Sequence, residues 1–143
     1  MIYTPLTKKA LKLSFECHKE QVDKTGMPYV FHPFHLAEQM TDEISTVCAL
    51  LHDVVEDTSY TFEDLSNMGF PDTVIRVLRL LTHDPAVPYL DYVRAIKSNE
   101  IATRVKLADL RHNSDTTRLD VVDEWALARE AKYREAIAIL TGD

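Results

Sequence analysis

Apolar residues recur at helical spacing along nearly the whole chain. Between Leu6 and about Val22, the positions Ala10, Leu11, Leu13, Phe15 and Cys17 mark one apolar face, the signature of an amphipathic helix. Lys24-Thr25-Gly26-Met27-Pro28 breaks it with a loop. A short helix follows Pro33 and carries Leu36, Ala37 and Met40. Ser45 reads as the N-cap of the next helix, Thr46 to Val55, whose apolar stripe marks the most buried helix of the fold. Thr61 to Asp64 has the form of a capping box and opens a short helix ending near Gly69. Pro71 is placed as a first-turn proline before Val74, Ile75, Val77, Leu78, Leu80 and Leu81. Further helices run from about Pro88 to Lys97, from Glu100 to Asn113 and from Asp123 to Leu140. Apolar and polar residues do not alternate over strand length, since Val54-Val55 and Val121-Val122 are too short. The pattern predicts an all-α, compact bundle of about seven or eight helices.

Composition narrows the function more than the fold. The length of 143 residues suits one domain spanning residues 1–143. A net charge of −7 argues against a general nucleic-acid binder. It excludes less for small anionic substrates, because a metal or a local basic pocket outweighs the global charge. Cys17 and Cys48 lack CxxC partners and sit in apolar helical stretches, so both are expected to be buried free thiols. Met1 to Lys9 lacks the pattern of a secretory signal, and no stretch approaches the ~18 apolar residues of a membrane span. The expectation is a cytoplasmic protein with no membrane partner; the oligomeric state is open.

Three clusters carry the chemistry. In Leu50-Leu51-His52-Asp53-Val54-Val55-Glu56-Asp57-Thr58, polar residues end an apolar helix. Residues three or four apart share a helix face, so Glu56 stands beside His52 and Asp53, and Asp57 beside Asp53. Uncompensated negative charge is costly in a buried helix, and a divalent cation would compensate it. Asp57 and Thr58 fit solvated turn residues equally well. In Val105-Lys106-Leu107-Ala108-Asp109-Leu110-Arg111-His112-Asn113, the residues Lys106, Asp109 and Asn113 project toward one point, whereas Arg104 and His112 read as a solvated face. In Pro28-Tyr29-Val30-Phe31-His32-Pro33, the proline biases His32 away from helix and presents it from a loop. His18 and His35 read as structural or surface residues.

His32, His52, Asp53 and Asp109 form a mixed nitrogen and oxygen ligand set. Such a set suits Mn²⁺, Fe²⁺, Zn²⁺ or Mg²⁺, and the lack of thiolate argues against a structural zinc site. Positions left open on a six-coordinate ion are what metal-assisted hydrolysis requires.

The order His…His-Asp…Asp resembles the signature of the HD phosphohydrolase superfamily. Gly26-x-Pro28-Tyr29-Val30-x-His32-Pro33, then Ala49 to Thr58, then Val105-Lys106-Leu107-Ala108-Asp109-x-x-x-Asn113 is similar to the hydrolase domain of the RelA/SpoT alarmone enzymes. It is similar also to the stand-alone Mesh-type small alarmone hydrolases. The resemblance covers nearly the whole chain. It implies an HD-domain helical bundle with Mn²⁺ held by His32, His52, Asp53 and Asp109. It implies a small nucleotide substrate, (p)ppGpp, losing its 3′-pyrophosphate. Glu56 and Asp57 match the acidic pair near the attacking water, and Asn113 matches an Asn beside the nucleotide. Lys24, Lys106 or Arg111 would neutralise pyrophosphate charge.

The chain also departs from the family pattern. Gln21-Val22-Asp23-Lys24-Thr25 keeps only Lys24 of a basic clamp, and Ser114-Asp115-Thr116-Thr117-Arg118 replaces a basic helix start. The metal ligands match residue by residue and the clamp does not. Two alternatives follow: the same hydrolysis on another nucleotide or NADPH, or a catalytically silent nucleotide-binding module.

Overall fold

Residues 1–142 are described by a computed structural model. Nine α-helices follow one another among them: α1 Pro5–His18, α2 Phe31–Glu38, α3 Glu43–Leu51, α4 Val54–Asp57, α5 Phe62–Asn67, α6 Asp72–Leu81, α7 Tyr89–Ile96, α8 Glu100–Asn113 and α9 Glu124–Thr141. A 3-10 turn, Thr116–Arg118, lies between α8 and α9. The only β-type pairing among the described residues is an isolated bridge between Val22 and Pro28. No helix among them is long and apolar enough to cross a membrane.

The all-α expectation holds, and the ninth helix has a simple origin. The stretch read as one helix from Thr46 to Val55 is broken at His52-Asp53, giving α3 and the short α4. Helix α3 is the centre of the molecule, as its apolar stripe implied. Every residue from Ser45 to Leu51 is buried, and α1, α2, α6 and α8 pack around it. Its start lies three residues earlier than the sequence pattern indicates. Asp42, not Ser45, is the N-cap: its Oδ1 accepts the Ser45 amide at 2.8 Å. Ser45 has the cap residue's chemistry, but its hydroxyl donates back to the Asp42 carbonyl.

Other boundaries shift for similarly local reasons. Helix α1 ends at His18 rather than Val22, because the Gln21 amide bonds to the His18 carbonyl and Val22 pairs with Pro28. The loop that follows turns at Gly26, whose φ of +82° is left-handed and suits glycine. Asp23 Oδ1 fixes this turn by accepting from the Thr25 amide, the Thr25 hydroxyl and the Met27 amide. His32 lies in the first turn of α2 rather than in a loop. Pro33 is tolerated there because first-turn amides have no intrahelical acceptor. The capping box at Thr61 and Asp64 forms as expected, while Pro71 occupies the N-cap of α6 rather than its first turn. Both cysteines are free; Cys48 is buried, but Cys17 is only half-buried.

Asp42→Ala is expected to cost about 1 kcal/mol, the usual value of a lost N-cap, read as a lower midpoint in urea unfolding. The Ser45 amide and Arg104 hold the Asp42 carboxyl below the usual carboxylate range. Its contribution is therefore present at neutral pH and lost as pH falls through that depressed value, so the wild-type and D42A midpoints should converge in acid.

Candidate metal centre

Three helices each deliver one ligand-type side chain to a single buried point. His32 comes from the first turn of α2, His52 from the C-terminal end of α3, and Asp109 from the middle of α8. Their donor atoms lie within 4.8 Å of one another. Asp109 Oδ1 is 2.8 Å from His32 Nε2 and 3.5 Å from His52 Nε2. The Asn113 amide donates to Oδ1 at 3.0 Å, and Lys106 Nζ lies 2.9 Å from Oδ2. Burial works to raise the Asp109 carboxyl, but Lys106 and the two histidines outweigh it and hold it well below the usual range.

The two histidines are oriented by their other ring nitrogens. His52 Nδ1 bonds to the Ala49 carbonyl at 2.7 Å, one of the carbonyls freed where α3 stops. A carbonyl only accepts, so a proton sits on Nδ1 and Nε2 is the nitrogen turned inward. That Nε2 is buried and makes no hydrogen bond of good geometry. His32 Nδ1 lies 2.7 Å from His112 Nδ1, with the two rings stacked at 5.0 Å and 8°. Burial, with Arg118 and His32 nearby, pushes His112 down to about 4. In the tautomer in which neutral His112 accepts from His32 Nδ1–H, His32 Nε2 is the nitrogen left to serve as a ligand beside Asp109. Such partners on the second nitrogen are usual for metal-ligating histidines. The donor set fits a divalent cation: two imidazole Nε2 atoms turned inward, one of them orphaned, and a buried carboxylate.

Asp53 stands at the edge of this cluster. Its Oδ2 is 3.0 Å from His52 Nε2 and accepts the Tyr29 hydroxyl. The same carboxylates act on the His52 ring: burial opposes its charge, but Asp53 and Asp109 prevail and raise it well above its ordinary value.

Two cavities flank the cluster. One, of about 130 Å³, is lined by His52, Asp53, Glu56, Tyr89, Tyr92, Lys106 and Asp109, among others. Glu56 Oε1 is held there by the His83 backbone amide, which donates to it at 2.5 Å. Burial raises the Glu56 carboxyl, and burial with the Asp53 charge pushes Asp57 up to about 6. Asp57 does not line this cavity, so the geometry separates the two members of the acidic pair. The second cavity, of about 240 Å³, is lined by Lys24, Tyr29, Asn113, Arg118 and Arg129 among others. Tyr29 borders it while bonding Asp53, and so stands between the cavity and the cluster.

The basic residues fall differently from the sequence reading. Lys24 lines the second cavity, its Nζ 3.2 Å from the centroid of the Trp125 ring. Lys106 faces the first cavity, already paired with Asp109. Arg111 lies two positions, about 200°, round α8 from Asp109 and is exposed; it does not reach the cluster. Arg118 takes its place, donating to the His112 carbonyl at 2.8 Å and reaching Asp23 at 3.5 Å. Sequence reasoning also missed Arg129, one turn after Trp125 on α9, because a lone Arg on a helix gives no local signal. His112, read as solvated, is the half-buried partner of His32, and exposed His35 stacks on it at 4.1 Å. His18 is structural as expected, buried with Nδ1 on Gln21.

No protein-family model matches the chain. Individual relatives do. It is 32% identical over 145 residues to the guanosine-3′,5′-bis(diphosphate) 3′-pyrophosphohydrolase MESH1 of Danio rerio, covering 92% of this chain and 80% of that protein. Human MESH1 is 32% identical over 131 residues, 82% of this chain and 73% of that protein. The guanosine-3′,5′-bis(diphosphate) 3′-pyrophosphohydrolase of Aquifex aeolicus is 32% identical over 136 residues, which make up 19% of that longer protein. A solved structure reported as "A metazoan ortholog of SpoT hydrolyzes ppGpp and plays a role in starvation responses" superposes with a TM-score of 0.74 at 27% identity. The match covers 98% of this chain and 85% of that one. By these relatives and by its helical fold, the chain belongs to the MESH1 family of guanosine-3′,5′-bis(diphosphate) 3′-pyrophosphohydrolases.

Proposed function

We propose that residues 1–143 form one hydrolase domain that removes the 3′-pyrophosphate from (p)ppGpp with the help of a divalent metal, Mn²⁺ by preference. The observation that carries this reading is the buried convergence of His32, His52 and Asp109, with Glu56 in the same cavity. His32, His52 and Asp109 would hold the ion, with Asp53 completing the set from its edge. A bound divalent cation supplies Lewis-acid activation of water and of a phosphoryl oxygen. Glu56 orients the attacking water and takes its proton, a task its raised carboxyl suits near neutral pH. Asp57, outside this cavity, adds negative charge near Asp53. Lys106 keeps Asp109 ionised and faces the leaving phosphates.

A bis-pyrophosphate has charge at two ends, and one metal attends to one of them. The second cavity receives the other end. Lys24, Arg118 and Arg129 outnumber Asp23 and Asp115 among its lining residues, and Asn113 brings an amide. Arginine forks suit phosphate better than a point charge does. This restores from α9 and the 3-10 turn the clamp that is thin in the first loop. The free thiols Cys17 and Cys48 support a reducing compartment, the cytoplasm, as the place of reaction.

Steady-state assay with Mn²⁺ on ppGpp, GTP, GDP and NADPH is the test. Pyrophosphate release from ppGpp is expected; activity on another compound with none on ppGpp would overturn the alarmone reading. Glu56→Gln should keep the fold and lower kcat by ~10²-fold. Arg129→Ala should raise KM about tenfold or more, the scale of a lost charged hydrogen bond. Arg111→Ala should leave KM unchanged.

Metal loading should raise the melting temperature of the chelator-treated protein, since an ion at 100 times its Kd adds about 2.7 kcal/mol. Ligation needs the lone pair of His52, whose ring is held protonated by its carboxylate neighbours. Binding should therefore release protons and weaken as pH falls. Calorimetric titration in two buffers of different ionisation enthalpy measures this, and identical heats in both would contradict it.

A further inference from the structure

Two tyrosines of α7 line the cavity beside the cluster, and their hydroxyls differ in what they bond. Tyr92 Oη donates to the Leu81 carbonyl at 2.6 Å. Tyr89 Oη is buried and has no hydrogen-bond partner among the described residues. A buried hydroxyl without a partner costs free energy and needs an explanation. Ring packing does not need the hydroxyl. Lys132 Nζ lies 4.1 Å from the Tyr89 ring centroid, Tyr92 lies tilted to it at 5.8 Å, and His83 meets the ring edge-on at 5.8 Å. These contacts fix where the ring sits and leave the hydroxyl unspent.

The surroundings select what the hydroxyl would bond. The cavity holds about 130 Å³ and is shared with His52, Asp53, Glu56, Lys106 and Asp109. Lys106 has three donors, of which one is engaged with Asp109. Burial raises the Tyr89 phenol, so it remains a protonated donor at neutral pH. The Lys132 ammonium against the ring face draws electron density from it and strengthens the O–H as a donor. Tyr89 and Lys106 are thus two donor side chains in the lining of a small polar cavity next to the candidate metal ligands. An oxyanion with several acceptor lone pairs satisfies both, and a neutral phenol contributes its bond without adding charge to the site.

We infer that Tyr89 Oη donates a hydrogen bond to a phosphoryl oxygen of the substrate's pyrophosphate, in the cavity it shares with Lys106 and Glu56. This rests on the phosphohydrolase reading proposed above. It gives Tyr89 a direct substrate contact and leaves Tyr92 a structural role on the same helix.

The test is Tyr89→Phe, with Tyr92→Phe as its counterpart. Y89F removes one oxygen and keeps the ring contacts. Its melting temperature should equal or exceed wild type, because an unpaired buried hydroxyl is gone. Y92F should melt lower, because the Leu81 carbonyl loses its donor. In Y89F, kcat/KM on ppGpp should fall about tenfold or more, the scale of a hydrogen bond to a charged group. Inorganic pyrophosphate, titrated calorimetrically in the presence of Mn²⁺, should bind Y89F about tenfold more weakly, with Mn²⁺ affinity itself unchanged. Equal pyrophosphate affinity in Y89F and wild type would overturn the inference. So would a Y89F melting temperature several degrees lower, which would show that the hydroxyl has a structural partner. The two readings fail separately. Tyr89-dependent pyrophosphate binding without ppGpp hydrolysis would remove the alarmone substrate alone. Hydrolysis of ppGpp undiminished in Y89F would remove the tyrosine alone.

Discussion

Asp109 is a carboxylate in the interior of a helical protein, and its neighbours are arranged to keep it charged. An isolated buried carboxylate would take up a proton rather than stay ionised. Here Lys106 lies on one oxygen, while His32 and Asn113 meet the other and His52 stands beside it. The pairing sets the relative positions of α2, α3 and α8, because each contributes one side chain to the cluster. A core of Leu and Val would also hold three helices together. Only a polar cluster of this kind also fixes which atoms face each other, and it does so at a desolvation cost. That cost is offset by a divalent cation more fully than by the protein's own donors.

The fold was largely legible in the sequence because its information is periodic. Val47 to Leu51 are apolar on every side, and a helix of that kind has one place to go, the centre. What the pattern misjudged were ends. The break at His52-Asp53 is invisible to periodicity, since Val54 and Val55 continue the apolar run. It is caused by His52 turning its Nδ1 back to the Ala49 carbonyl. The misplaced start of α3 is the same kind of error. Both Asp42 and Ser45 have cap chemistry, and only three-dimensional context decides which one caps. The reading of His32 as a loop residue shows a local rule yielding to another. The pre-proline bias is real, but the first helical turn accepts proline without losing a bond.

The centre of the site was legible because its residues are chemically out of place. His52, Asp53 and Asp109 interrupt apolar patterns, and such interruptions need an explanation. The periphery was not legible, because its residues interrupt nothing. Arg118, Arg129 and Tyr89 sit where polar or half-buried side chains are ordinary. His112 was misread for a related reason: a histidine beside an exposed Arg looks solvated until the fold sets it on His32. Arg111 was misread in the opposite direction. Its charge suited the task, yet a helix advances about 100° per residue, and two residues from Asp109 is the wrong side.

In the function proposed above, the two cavities divide the work between chemistry and recognition. The smaller one holds Glu56, Lys106 and the candidate ligands, so its shape is constrained by what breaking a phosphoanhydride or ester bond requires. The larger one is bounded by the loop at Gly26, the 3-10 turn and α9. Lys24 and Arg129 both lie against Trp125, at 3.2 and 4.7 Å from its ring centroid, and burial with the Arg129 charge lowers the Lys24 ammonium. Asp123 offsets part of this repulsion, and a phosphate between the two cations would relieve more of it. Tyr29 joins the two cavities, since it lines the larger one and bonds Asp53 of the smaller. A ligand pressing on Tyr29 therefore acts on Asp53 through a single hydrogen bond. In the proposed function, recognition at the far end of a nucleotide would have a short physical route to the edge of the candidate metal centre.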